Sequence, residues 1–197
     1  RPWADRGKGL FYVGTAHIAG QKAIEWIVSE VQATIKKMGR YCGVGDIGHL
    51  YVAGTGWNVT ARMSPAIGLA VRQGRLTFLG VLSDEDLEEQ MQSFRVFAAP
   101  VFNTTGVATK NIFAMARGLP VISTAIGAIP ETVQDGTCGL IVPPGEVDPL
   151  AGAIETLAKD AAMRQRMGKA GRARWKERYS IAAVADRMAD RYRELIR

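Results

Sequence analysis

Residues 103–144 read NTTGVATKNIFAMARGLPVISTAIGAIPETVQDGTCGLIVPP, and the way this stretch changes character decides the fold. Asn103, Thr104 and Thr105 are cap-type residues, Gly106 follows, and Val107 to Arg117 carries apolar residues at 107, 112, 113 and 115 with no proline. That pattern predicts a helix opening at a small polar loop. Upstream, Val96-Phe97-Ala98-Ala99 is a short apolar run of the kind a buried parallel strand shows. The helix N-terminus therefore points out of the carboxyl end of a strand, where unpaired N–H groups and the helix dipole favour an anion. Lys110, one turn in, adds a positive charge. Gly118 then closes the helix and Val121–Thr124 starts a strand at once. Gly127 to Glu131 makes a turn and a short helix, and Asp135-Gly136 leads into a last apolar run, Gly139–Val142.

Working outward, the same alternation fills the chain. Leu10–Gly14 reads as a buried strand, and Gln21–Met38 as a helix with apolar residues at 24, 27, 28, 31, 35 and 38, one face at helical spacing. His49–Ala53 is a second strand, a weaker helix runs from about Val59 to Ala70, and Leu76–Gly80 is a third strand. Ser83 caps a helix that opens Asp84-Glu85-Asp86, acids suited to its dipole. Asp148-Pro149 starts another helix, and Ser180 caps a terminal one over Ile181–Arg197 with apolar positions 181, 184, 185, 188, 192, 195 and 196. Strands alternating with helices predict an α/β fold: a Rossmann-like, doubly wound parallel sheet of about six strands, in one domain over residues 1–197.

Composition removes several function classes. The formal charge of +6 is carried by one segment, Ala161–Arg178, where seven basic residues face the single acid Glu177. A solvated helix face is the plain reading of that segment, and no aromatic residues are interleaved with basic ones elsewhere, so no nucleic-acid partner is expected. No apolar run approaches the roughly 20 residues of a membrane helix, and no signal-peptide pattern opens the sequence. Cys42 and Cys138 sit in unrelated contexts, which argues against a disulfide framework or a metal cluster and suits the cytoplasm. Gly43-Val44-Gly45-Asp46-Ile47-Gly48 matches the dinucleotide fingerprint by letter but follows a helix and precedes a strand, the reverse of what the fingerprint needs. Gly54-Thr55-Gly56 follows a strand without a third glycine in register, so a nicotinamide dehydrogenase is a poor fit.

Ligands of such a sheet bind outside the carboxyl ends of the strands, which selects Gly14–Lys22, Gly80–Ser83 and Asn103–Lys110. The run AMARGLPVISTAIGAIPETVQDGTCGLIVPPGEVDPLAGAIETLAKD, residues 114–160, resembles the carboxyl-terminal, nucleotide-sugar-binding half of family 4 retaining glycosyltransferases with the GT-B fold. The resemblance implies that Gly14, Thr15, His17, Lys22, Thr104, Thr105, Gly106, Val107 and Lys110 surround a donor diphosphate, and that Gly80, Val81 and Leu82 meet the base. It implies that position 113 holds the ribose. Family members carry a glutamate there and another eight residues earlier, whereas this chain has Phe113 and Thr105; they also carry an arginine at Thr15, and their lysine lies one position from Lys22, with Gln21 a further equivalent. The substrate implied is a nucleoside-diphosphate sugar, with no metal and no other cofactor, and no residue is assigned as catalytic. The implied acceptor-binding half would precede this chain and meet helix 181–197. The function expected is the donor half of a retaining glycosyltransferase, inactive as an isolated fragment; the alternative is a degenerate binding or assembly module. The donor base and sugar and the acceptor stay open.

Overall fold

The computed structural model describes residues 6–37, 48–103 and 106–196. In chain order the elements are β1 (Lys8–Val13), α1 (Ile18–Trp26), a π-helical segment (Ile27–Val31), α2 (Gln32–Lys37), β2 (Leu50–Ala53), α3 (Trp57–Met63), α4 (Pro65–Arg72) and β3 (Leu76–Gly80). There follow α5 (Asp84–Met91), β4 (Phe94–Ala99), α6 (Thr109–Ala116), β5 (Val121–Thr124), α7 (Ile129–Thr132), β6 (Gly139–Val142), α8 (Val147–Lys159), α9 (Ala161–Arg178) and α10 (Ile181–Leu195).

The six strands form one sheet in the order β3-β2-β1-β4-β5-β6, every pairing parallel. This is the Rossmann-like doubly wound sheet the alternating pattern predicts. The chain adds β1 to β3 towards one edge and β4 to β6 towards the other, so the order of strands reverses between β1 and β4 and a crevice opens at their carboxyl ends. Strands of a sheet covered on both faces read as unbroken apolar runs, and Leu10, Phe11, Val96, Phe97, Val121 and Ile122 are each fully buried. Phe11 stacks on Phe94 with ring centroids 4.4 Å apart, across the β1–β4 pair that forms the floor of the crevice. Each such ring removed from water contributes roughly 1.5–3 kcal/mol to the stability of the floor.

Several helices differ from the sequence pattern for identifiable reasons. The first helix starts at Ile18 rather than Gln21, because His17 caps it. It widens into a π turn at Ile27–Val31, where Arg75 donates from Nη1 to the Val28 carbonyl at 2.7 Å and to the side chain of Gln32. The wide turn frees a carbonyl and the half-buried Arg75 takes it, which ties α1 and α2 to the entry of β3. The weak helix expected over 59–70 is two helices. Pro65 has no N–H and forces Ser64 into an extended conformation (φ −100°, ψ 112°), and Ser64 then caps α4. The helix read from Asp148 begins at Val147, with Pro149 in its first turn, where no intrahelical N–H is needed. The last helix ends at Leu195, and Arg197 lies outside the described residues, as do Met38 and the glycine run 43–47.

The basic segment is only partly a solvated face. Arg164 is buried and donates from Nη1 to the carbonyls of Leu157 and Ala158, capping the carboxyl end of α8, and burial holds its guanidinium below the ordinary arginine pKa. Arg174 likewise donates to the Glu131 and Thr132 carbonyls at the end of α7. Both use a cation against the negative end of a helix. Arg166, Lys169, Arg172, Lys176 and Arg178 are exposed. No helix among the described residues is long and apolar enough to cross a membrane.

Candidate functional site at the carboxyl edge of the sheet

β1, β2 and β3 run into loops at three glycines with positive φ: Gly14 (+156°), Gly54 (+128°) and Gly80 (+73°). The Gly14 N–H donates to the Ala53 carbonyl at 3.0 Å, the Gly54 N–H to the Gly80 carbonyl at 2.8 Å, and the Ala16 N–H to the Thr55 carbonyl at 2.9 Å. Trp57, buried under this corner, donates from Nε1 to the Gly14 carbonyl at 2.8 Å. A Cβ on Gly54 would stand 2.1 Å from the Gly14 carbonyl oxygen, so the two loops touch backbone to backbone. Val81 is exposed, and Leu82 is half-buried against the core.

The first loop holds Thr15 and His17, both exposed. His17 Nδ1 accepts the Gly20 N–H at 3.3 Å as the cap of α1. Lys22 lines a groove of about 650 Å³ with Glu25, Trp26, Ser64 and Phe102. Gln21 donates to the Ala16 carbonyl at 2.7 Å and to Thr60 Oγ1 at 3.2 Å, so its amide braces the loop. The lysine whose ammonium reaches Gly14 is Lys110, from α6 on the other side of the crevice.

Helix α6 begins two residues later than its cap-like sequence predicts. Ala108 occupies the cap position in a non-helical conformation (φ −74°, ψ 81°), and the Thr109 N–H turns back to the Val107 carbonyl at 2.9 Å. This tight turn spends Gly106 to Ala108 on the approach, so Asn103 is too far upstream to cap, and Thr104 and Thr105 lie outside the described residues. Among the described residues no side chain caps α6, in contrast to α1, α4, α5, α9 and α10, capped by His17, Ser64, Ser83, Asp160 and Ser180. Val107 is half exposed, and a Cβ on Gly106 would meet open space.

Three side chains of α6 define the crevice wall. Lys110 is half-buried, donates from Nζ to Tyr12 Oη at 2.8 Å, and lies 4.6 Å from the centre of the Tyr12 ring. No carboxylate pairs with it among the described residues. Asn111, fully buried, donates from Nδ2 to Ser123 Oγ at 3.2 Å, and that hydroxyl donates to the Ala99 carbonyl at 2.8 Å, fastening α6 to β4 and β5. Phe113 is half-buried against the core, and the Arg117 guanidinium covers its ring at 3.5 Å while Arg117 Nε lies 2.7 Å from Glu88 Oε2. Position 113 thus presents an aromatic ring roofed by an ion pair where the resemblance implies a ribose-gripping carboxylate. Reading the sequence alone misses Tyr12, Gly54, Trp57 and Asn111; a buried-type polar residue inside an apolar helix stretch was the one visible signal, at Asn111. No group of three or more His, Cys, Asp or Glu side chains able to hold a metal ion occurs among the described residues.

Comparison with known proteins matches this architecture. The model of the family described as glycosyl transferases group 1 matches residues 7–160. The chain is 27% identical over 187 residues to alpha-D-kanosaminyltransferase of Streptomyces kanamyceticus, covering 94% of this chain and 45% of that enzyme. Among solved structures, sucrose-phosphate synthase from Thermosynechococcus elongatus superposes with a TM-score of 0.72 at 26% identity, over 100% of this chain and 47% of that one. Anabaena HepE, solved in complex with UDP-glucose, shares the fold at a TM-score of 0.72 and 17% identity, over 95% of this chain and 49% of that one. The chain therefore spans about half the length of these relatives, and its sheet is that of the carboxyl-terminal half of a GT-B glycosyltransferase. With the family model covering most of its length, the chain belongs to the glycosyl transferases group 1 family.

Proposed function

We propose that this chain is the donor-binding half of a retaining glycosyltransferase that takes a sugar from a nucleoside-diphosphate donor. The observation that carries the reading is the half-buried ammonium of Lys110, unpaired by any carboxylate among the described residues. It stands between the Gly14 loop and the start of α6, which no described side chain caps, at the switch point of the sheet. When the bond between the anomeric carbon and the diphosphate breaks, negative charge grows on the leaving nucleotide. A fixed cation and open helix N–H groups stabilise that charge without a metal ion or other cofactor. The Gly80–Leu82 turn borders the same edge and is where the base would lie. The acceptor would come from a second half, which would cover the apolar stripe of α10: Ile181, Met188, Tyr192 and Leu195 are all more than half exposed. On this reading the protein works in the cytoplasm and its nucleotide sugar is its small-molecule partner.

The test is calorimetric titration with UDP. Gly106→Val places a branched side chain in the open space before α6 and should weaken UDP on the order of tenfold, equivalent to about 1.4 kcal/mol. Equal affinity of variant and parent would put the nucleotide elsewhere. One observation favours a second reading, a binding module without turnover: Phe113 lies under the Arg117–Glu88 pair at the position where the resemblance implies a carboxylate for the ribose.

A further inference from the structure

We propose that Tyr12 is a positioning residue for Lys110, and that this pair, built from opposite sides of the crevice, supplies the cation for the diphosphate that the loop after β1 does not. The inference rests on the donor-binding reading above. Thr15 carries no charge, His17 commits Nδ1 to capping α1, and Lys22 shares its groove with the carboxylates of Glu25 and Glu30. Lys110 has no such competitor among the described residues, and a half-buried ammonium without a counter-ion calls for an anion.

Tyr12 is suited to hold it still. The residue is 1% exposed, its ring meets Trp57 edge-on at 6.0 Å between centroids, and its hydroxyl lies where glycines leave room. A Cβ at Gly20 would come within 3.1 Å of that hydroxyl oxygen and one at Gly14 within 3.3 Å. The phenol oxygen accepts one of the three ammonium N–H bonds, the ring face attracts the charge, and two N–H bonds remain for phosphate oxygens. Ordering a free lysine at the moment of binding is entropically expensive, and a lysine already fixed on a buried ring avoids that loss.

The experiment is a double-mutant cycle on the 197-residue chain, titrated with UDP and, separately, with inorganic pyrophosphate, with a thermal melt of each variant to verify folding. Lys110→Met should weaken both probes about tenfold and flatten the salt dependence of binding, whereas Lys36→Met, a loss of charge on α2, should not. Tyr12→Phe keeps the ring and its packing and should weaken binding roughly threefold; in the Lys110→Met background the same change should have no further effect. An equal loss from Tyr12→Phe in both backgrounds would show packing alone and overturn the proposal. So would a loss in Lys22→Met with none in Lys110→Met. If the parent binds neither probe, the donor-binding reading falls and this inference with it; if the parent binds and Lys110→Met is unaffected, only this inference falls.

Discussion

The corner formed by β1, β2 and β3 is closed by backbone, whereas the α6 wall across the crevice is furnished by side chains. At the corner, Gly14, Gly54 and Gly80 are joined through amides and carbonyls, and Trp57 reinforces them from below with one N–H. At the wall, Lys110 points to Tyr12, Asn111 to Ser123, and Phe113 lies under Arg117. A backbone corner keeps its shape whatever sequence surrounds it, provided glycine stays where the chains touch. A side-chain wall can change its chemistry one residue at a time without moving the frame. The departure at 113 falls in the wall.

This contrast orders the expected effects of mutation. Gly54→Ala should be the most damaging, because the new Cβ meets the Gly14 carbonyl at 2.1 Å at a backbone φ of +128°. Strain and clash together should lower stability by about 3 kcal/mol or more in a denaturant titration; a loss under about 1 kcal/mol would show that the corner yields. Phe113→Glu should be milder, lowering stability about 1–2 kcal/mol through lost packing. The new carboxylate falls beneath the Arg117 guanidinium and is paired rather than stranded. If the donor site is otherwise intact, UDP should bind this variant roughly fivefold more tightly, the size of about 1 kcal/mol for a hydrogen bond to a charged group. No change in UDP affinity would show the ribose place to be closed and support the module reading.

The smallest effect is expected away from both walls. Cys138 is a free, buried thiol just before β6, and burial pushes its pKa up. A raised folded-state pKa means that the neutral thiol's contribution is fully present below the thiol's unfolded pKa and is lost as pH rises through the folded one. Stability should therefore fall above about pH 8.5 with a slope of at most about 1.4 kcal/mol per pH unit, the limit for one proton. The difference between the parent and Cys138→Ala, followed by melts from pH 7 to 10, isolates it; identical profiles would show the thiol to be indifferent.

What could be read along the chain divides from what could not by the range of the interactions. Six apolar runs separated by helices of one-sided periodicity are local facts, and with the right-handed crossover rule they determine the parallel sheet and which ends of the strands face ligands. The caps at Ser83 and Ser180 are equally local and hold. The break at Ser64-Pro65 was legible in principle, since proline restricts the residue before it, but the apolar pattern over 59–70 masks it. The start of α6 was not legible: the cap-like residues 103–105 give way to a turn formed at Val107–Thr109. The π turn depends on Arg75, which is 47 residues from the carbonyl it takes.

The sequence by itself thus determined the layers, the edge where chemistry sits and, through the run 114–160, the family. Only the tertiary structure decided that Lys110 meets Tyr12 across 98 positions, that Gly54 presses on Gly14, and that Arg117 and Glu88 roof Phe113. The physical reason is that periodicity and capping act within a few residues of chain, while a crevice is made by strands and helices that the crossovers bring together from distant parts of the chain.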